Sequence, residues 1–160
     1  FISKELSDMF WKEGLTLATA ESCTAGNIAT FITAIPGSSH FFKGGIIAYS
    51  NEVKKNLLGV KAETLETKGA VSEETVISMA KGAMKSMNSD CAVATTGIAG
   101  PTGGTPATPV GTIWIAAIME EKIMTLKLEG DEGRNKNIAN ATQKALSLLQ
   151  KLLQNKENEQ

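Results

Sequence analysis

Leu15-Thr16-Leu17-Ala18-Thr19-Ala20-Glu21-Ser22-Cys23-Thr24-Ala25-Gly26 is where the fold declares itself. Residues 15–20 form a short apolar alternation, which reads as a strand. Residues 24–35 then carry Ile28, Phe31, Ile32 and Ile35 on one helical face, until Pro36-Gly37 stops them. A strand running straight into a helix is the first half of a parallel crossover unit. Ser22 sits at the joint.

The same alternation recurs along the chain. Residues 3–13 read as a helix closed by Gly14, residues 46–49 as a strand, and residues 51–58 as a helix that Asn51 would cap and Gly59 would end. Ser72 opens a helix over 72–87, with Glu73 and Glu74 in its first turn. Residues 91–95 form a chargeless strand, and residues 112–119 and 123–128 form two more around the turn Glu120-Glu121, hence an antiparallel pair. A last helix is expected over 135–153, and the polar tail 155–160 is expected to fray. Strands alternating with helices and closed by one hairpin imply an α/β fold: a three-layer α/β/α sandwich around a mostly parallel, mixed five-stranded sheet. One domain over 1–154 accounts for this pattern.

Bulk properties narrow the functional classes. Of the 160 residues 42% are hydrophobic and 21% charged, as in an ordinary globular protein. A net charge of −1 gives no electrostatic footprint for nucleic acid. No apolar run reaches the roughly 20 residues that cross a bilayer, so no membrane partner is expected. No basic-then-apolar leader pattern is visible in the residues given, and the expected compartment is the cytoplasm. The chain starts at Phe1 rather than Met, which leaves room for residues or a domain ahead of it. Cys23 and Cys91 lack the spacing of a metal or redox pair. His40 is the single histidine, so a histidine zinc site is excluded and a serine triad would have to use it.

In an open α/β sheet, ligands bind beyond the carboxyl ends of the strands. Three segments fall there: Glu21–Gly26, Tyr49–Lys54 and Thr96–Gly104. Ser22 is either a helix-capping residue, as Thr24 also could be, or a nucleophile whose following amides hold an oxyanion. A serine nucleophile needs a base. Lys54, at the third position of a helix capped by Asn51, faces a helix dipole that disfavours its charge; the alternative is a solvated surface lysine. Tyr49, the only tyrosine, ends the strand before it. Cys23 is a rival nucleophile or a small buried residue, and His40, beside Phe41 and Phe42, suits packing better than catalysis. The run Thr96-Gly97-Ile98-Ala99-Gly100-Pro101-Thr102-Gly103-Gly104 has four glycines. These allow either plain turns or close approach of a ligand, but the run is no Walker loop. Arg134, near the start of the last helix, could clamp a phosphate or lie free on the surface.

Ala20-Glu21-Ser22-Cys23-Thr24, Tyr49-Ser50-Asn51-Glu52-Val53-Lys54, Gly69-Ala70-Val71-Ser72, Thr96-Gly97-Ile98-Ala99-Gly100-Pro101 and Pro109-Val110-Gly111-Thr112 occur in this order. Together they resemble the C-terminal domain of the CinA (competence/damage-inducible protein A) family, which includes stand-alone nicotinamide mononucleotide deamidases. The resemblance runs from about Leu6 to Leu153. It implies hydrolysis of the carboxamide of a pyridine nucleotide, nicotinamide mononucleotide, to nicotinic acid mononucleotide and ammonia, without metal or cofactor. By motif, Ser22 is the implied nucleophile, Lys54 its base and Tyr49 a neighbour that tunes or gates the site. Thr24, Gly26, Thr96, Gly97, Gly100 and Gly104 would contact the ligand, and Arg134 the phosphate. A homo-oligomer is also expected. The alternative is a non-catalytic nucleotide-binding module on the same fold.

Two departures stand out. The family pattern has Gly-Gly after Ser-Cys-Thr, where this chain has Ala25-Gly26. Its usual arginine directly follows Gly-Asp, where this chain reads Gly130-Asp131-Glu132-Gly133-Arg134.

Overall fold

A computed structural model describes residues 2 to 158, with side chains through residue 156. Five strands form one sheet: β1 Leu17–Glu21, β2 Phe42–Ile47, β3 Cys91–Gly97, β4 Ile113–Met119 and β5 Lys122–Leu128. Their spatial order is β2-β1-β3-β4-β5. β1 runs parallel to both β2 and β3, whereas β4 is antiparallel to β3 and β5. Six α-helices occur among the described residues: α1 Ile2–Glu13, α2 Asn27–Thr33, α3 Asn51–Leu58, α4 Ala62–Thr67, α5 Glu73–Met87 and α6 Arg134–Asn158. The expected α/β/α sandwich with a mixed five-stranded sheet is what forms.

Two apolar clusters show why. On one face Leu6 and Phe10 of α1, Ile28 and Ile32 of α2, and Leu146 and Leu149 of α6 pack on Leu17, Val93 and Ile115. On the other, Val76, Met79, Ala80 and Ala83 of α5 pack on Ala18, Ala20, Ala92 and Ala94. β1 and β3 are covered on both sides, so their sequences read as continuous apolar runs. The alanines on the α5 side let that helix lie close. The β1–β2 connection crosses one face through α2, and the β2–β3 connection returns over the other through α3 to α5. The carboxyl ends of β1 and β3 therefore flank the point where chain direction around the sheet reverses, and Ser22 follows β1 there.

Several boundaries differ from expectation for local reasons. β1 begins two residues late because the Thr16 amide and hydroxyl are both taken by the Asp90 carboxylate, at 2.9 and 3.0 Å. α2 begins at Asn27, not residue 24, because Ala25 and Gly26 adopt φ of +47° and +95°. β2 ends at Ile47, so Ala48 and Tyr49 lie beyond it; their carbonyls are turned to a side chain instead of the sheet. β3 carries on through Gly97, taking Thr96 and Gly97 out of the expected loop. At the other end, α6 continues to Asn158, so residues 155–158 are helical rather than frayed; residues 159 and 160, like Phe1, lie outside the described residues. No described helix is long and apolar enough to cross a membrane.

Candidate active site

The turn after β1 carries the first group. Ser22 is 6% exposed, and its amide donates to the Thr95 carbonyl of β3 at 3.1 Å. The hydroxyl is thus held at a fixed place beyond the sheet. It does not cap α2: the cap residue is Gly26, which makes no side-chain hydrogen bond. Thr24 does not cap it either, because its hydroxyl donates to Glu21 Oε1 at 2.7 Å.

The second group comes from α3. Its N-cap is Ser50, whose hydroxyl accepts from the Val53 amide at 3.1 Å, and not Asn51. Lys54 is therefore one position further into the helix than expected. It is also no surface lysine, since only 2% of it is exposed. Its Nζ lies 3.0 Å from Ser22 Oγ, 2.9 Å from the Ala48 carbonyl oxygen and 3.0 Å from the Tyr49 carbonyl oxygen. Burial away from water pushes its pKa down from the usual 10.5. A neutral amine has two N–H donors and one lone pair. Two carbonyls accept the donors, and the lone pair is left for the Ser22 hydroxyl proton. Once protonated, the same nitrogen has three donors for the same three oxygens. This geometry serves both states of a general base.

A cavity of about 190 Å³ opens above this pair, lined by Ser22, Tyr49, Lys54, Thr96, Gly97 and Arg134 among others. Larger cavities of about 350 and 510 Å³ lie elsewhere, the first around Asp131 and the second between α5 and the β4–β5 hairpin. Neither contains the Ser22–Lys54 pair. Thr96 donates to the Ala70 carbonyl at 2.8 Å, which pins residues 70 and 71 to the cavity wall. Arg134 is the first residue of α6; it donates to the Gly100 carbonyl at 2.6 Å and to Tyr49 Oη at 3.3 Å. Its guanidinium has further donors to spare at the cavity mouth.

Other expected contacts are absent from the lining. Thr24 is 1% exposed and spent on Glu21 and Thr95. Gly26 serves the turn, with Ile47 Cδ1 3.3 Å from where a Cβ would stand. Gly104 packs on its own loop, since a Cβ there would stand 2.7 Å from the Val110 nitrogen. Gly100 reaches the site only through the carbonyl that meets Arg134. His40 sits before β2, at the opposite end of the sheet from Ser22, in an edge contact with Trp11 at 4.2 Å. Cys23 lines the cavity but is 5% exposed, and burial pushes its thiol up to about 11, so it stays protonated at neutral pH.

Other participants escaped sequence reasoning. Asn51 and Ala70-Val71 line the cavity, although their motifs were visible. Asn137 of α6 donates to the Ala99 carbonyl at 3.0 Å and to Asp131 Oδ1 at 2.9 Å, tying the start of α6 to the glycine loop. That bond, with the Gly133 amide, holds the Asp131 carboxyl below its usual pKa.

The CinA C-terminal domain model matches residues 1–153. A competence-damage inducible protein of Halothermothrix orenii is 47% identical over 150 residues, 93% of this chain and 36% of that protein. A CinA-like protein of Kosmotoga olearia is 49% identical over 142 residues, 89% of this chain and 34% of its own length. The chain thus spans about a third of the curated relatives it matches. The crystal structure of the competence/damage inducible protein CihA from Agrobacterium tumefaciens superposes with a TM-score of 0.92 at 39% identity, covering 94% of this chain and 93% of that one.

Proposed function

The chain belongs to the CinA C-terminal domain family, and we propose that within it the protein is an amidohydrolase that converts nicotinamide mononucleotide to nicotinic acid mononucleotide and ammonia. The observation that supports this reading most is the buried Lys54 amine at 3.0 Å from Ser22 Oγ, with two carbonyls taking its other donors. A binding module has no use for a buried lysine aimed at a serine.

In the proposed reaction Ser22 gives its proton to Lys54 as Oγ bonds to the carboxamide carbon. The amides of Cys23 and Thr24, which the turn does not spend on other backbone groups, would hold the resulting oxyanion. Lys54 then passes its proton to the departing nitrogen, the C–N bond breaks and ammonia leaves. A water molecule repeats the attack on the ester, giving one proton to Lys54; Ser22 leaves with that proton, and the carboxylic acid formed releases its own proton to solvent as the carboxylate product departs. Arg134 and the first amides of the 25-residue α6 take the phosphate, since a helix N-terminus attracts anions. We also assign the reaction to the cytoplasm, where the unpaired Cys23 and Cys91 stay reduced.

Ammonia release from nicotinamide mononucleotide by purified protein, and its loss in Ser22→Ala, tests the assignment. Activity retained in Ser22→Ala would overturn the dyad. Thermal stabilisation by the nucleotide without turnover would assign the protein to the non-catalytic alternative.

A further inference from the structure

Among the described residues, Glu21 is the one buried carboxylate, and the reaction above leaves it unused. It is 1% exposed, the last residue of β1 and the immediate neighbour of Ser22. A buried acid is costly unless its oxygens are satisfied. Here Oε1 accepts from the Thr24 hydroxyl at 2.7 Å and from the Ile28 amide at 2.9 Å, while Oε2 accepts from the Ala29 amide at 3.1 Å. Thr24 has one hydroxyl proton and gives it to Glu21, so the Thr95 hydroxyl, 2.9 Å away, donates to Thr24. The main chain of Glu21 acts too: its carbonyl accepts from the Ala48 amide at 2.8 Å, and the Ala48 carbonyl in turn accepts from Lys54. One residue thereby ties the nucleophile turn to α2, to β3 and to the peptide that holds the base.

We propose that Glu21 is a positioning residue that fixes the Ser22–Gly26 turn, and with it the nucleophile and the Cys23 and Thr24 amides, against Lys54. It touches neither substrate nor reacting atoms. The inference rests on the amidohydrolase reading for its substrate, but not for its geometry. Three donors converge on two carboxylate oxygens, so an amide at this place must point an NH₂ group at one of them. Glu21→Gln therefore keeps the volume and loosens the turn, and a displacement near 1 Å costs a reacting pair up to about 100-fold.

The test compares wild type with Glu21→Gln at a temperature where circular dichroism shows both folded. The rate of Ser22 modification by diisopropyl fluorophosphate is read by mass spectrometry, beside kcat and KM on nicotinamide mononucleotide. The expected result is a fall of roughly 10- to 100-fold in labelling rate and kcat alike, with KM within twofold and the pH midpoint unmoved. Wild-type labelling and kcat in the folded variant would reduce Glu21 to a fold-holding residue and overturn the proposal. A moved pH midpoint would overturn it as well, by making Glu21 a titrating partner. Should Glu21→Gln fail to fold, Thr24→Val removes the link from Glu21 to Thr95 and is read the same way, with a fall of about 3- to 10-fold expected. Wild type that is labelled at Ser22 but releases no ammonia refutes the substrate and leaves Glu21 decided by labelling alone. Wild type that resists labelling refutes the nucleophile and this proposal together.

Discussion

Lys54 Nζ stands 3.0 Å from Ser22 Oγ although the two residues are 32 positions apart, on α3 and on the turn after β1. The pairing depends on an uncharged amine. Arginine cannot lose its proton in a protein, so Lys54→Arg should lower kcat by more than about 10³-fold while the fold survives. Ser22→Ala should cost as much, and the double variant no more than either alone, because the pair acts as a unit. Steady-state ammonia release checks all three; additive losses would mean that the two residues work apart.

The rate should rise with pH. Lys54 has to be neutral before it can accept a proton, and burial lowers its pKa from 10.5. As pH falls through that lowered value the amine becomes charged and kcat/KM drops tenfold per unit. A profile of kcat/KM against pH should show one ascending limb with its midpoint below 10.5. A rate that is flat down to acid pH would exclude Lys54 as the base.

Cys23 should be a bystander. With its thiol pushed up to about 11 and Cys91 pushed up to about 12, neither presents thiolate at pH 7.5. Iodoacetamide should leave activity intact over an hour, and Cys23→Ser should keep kcat within about threefold. Rapid inactivation with alkylated Cys23 would transfer the nucleophile's role to it.

Arg134 should matter for the phosphate and little for the chemistry. Arg134→Ala is expected to raise KM for nicotinamide mononucleotide by about 10- to 100-fold, the weight of a charge-assisted pair. It should leave the slow hydrolysis of the unphosphorylated riboside unchanged. Equal losses on both substrates would place the arginine elsewhere in the reaction.

Ala25 carries strain. It is exposed, outside the cavity lining, and sits at φ +47°, in the left-handed region that a Cβ disfavours. The family's glycine at this position therefore answers a backbone need and not a pocket width. Ala25→Gly should stabilise the protein by about 0.5–1 kcal/mol, or roughly 1–4 °C in Tm, with kcat unchanged. Differential scanning calorimetry beside the ammonia assay decides it.

The layers were legible because burial on two faces writes itself as apolar runs, as in residues 91–95, and because Ser72 and the Glu120-Glu121 turn mark their boundaries plainly. What the sequence hid is mostly a matter of direction. Ser50 and Asn51 are both good caps, and only the path of the chain decides which hydroxyl or amide meets Val53. Lys54 reads either as a base or as a surface lysine, since nothing local announces two carbonyls turned inward. Nothing along the chain announces that α2 lays its amides over Glu21. Gly104 looked like a ligand contact because a glycine that accommodates the chain's own Val110 is indistinguishable, in one dimension, from one that accommodates a nucleotide.

The two carbonyls that hold Lys54 belong to the peptide main chain at Ala48 and Tyr49. Every amino acid brings the same oxygen, so no single codon change at either position can delete the partner. The base is secured by a part of the molecule that mutation cannot edit directly. Its anchorage is heritable only through the path of the chain.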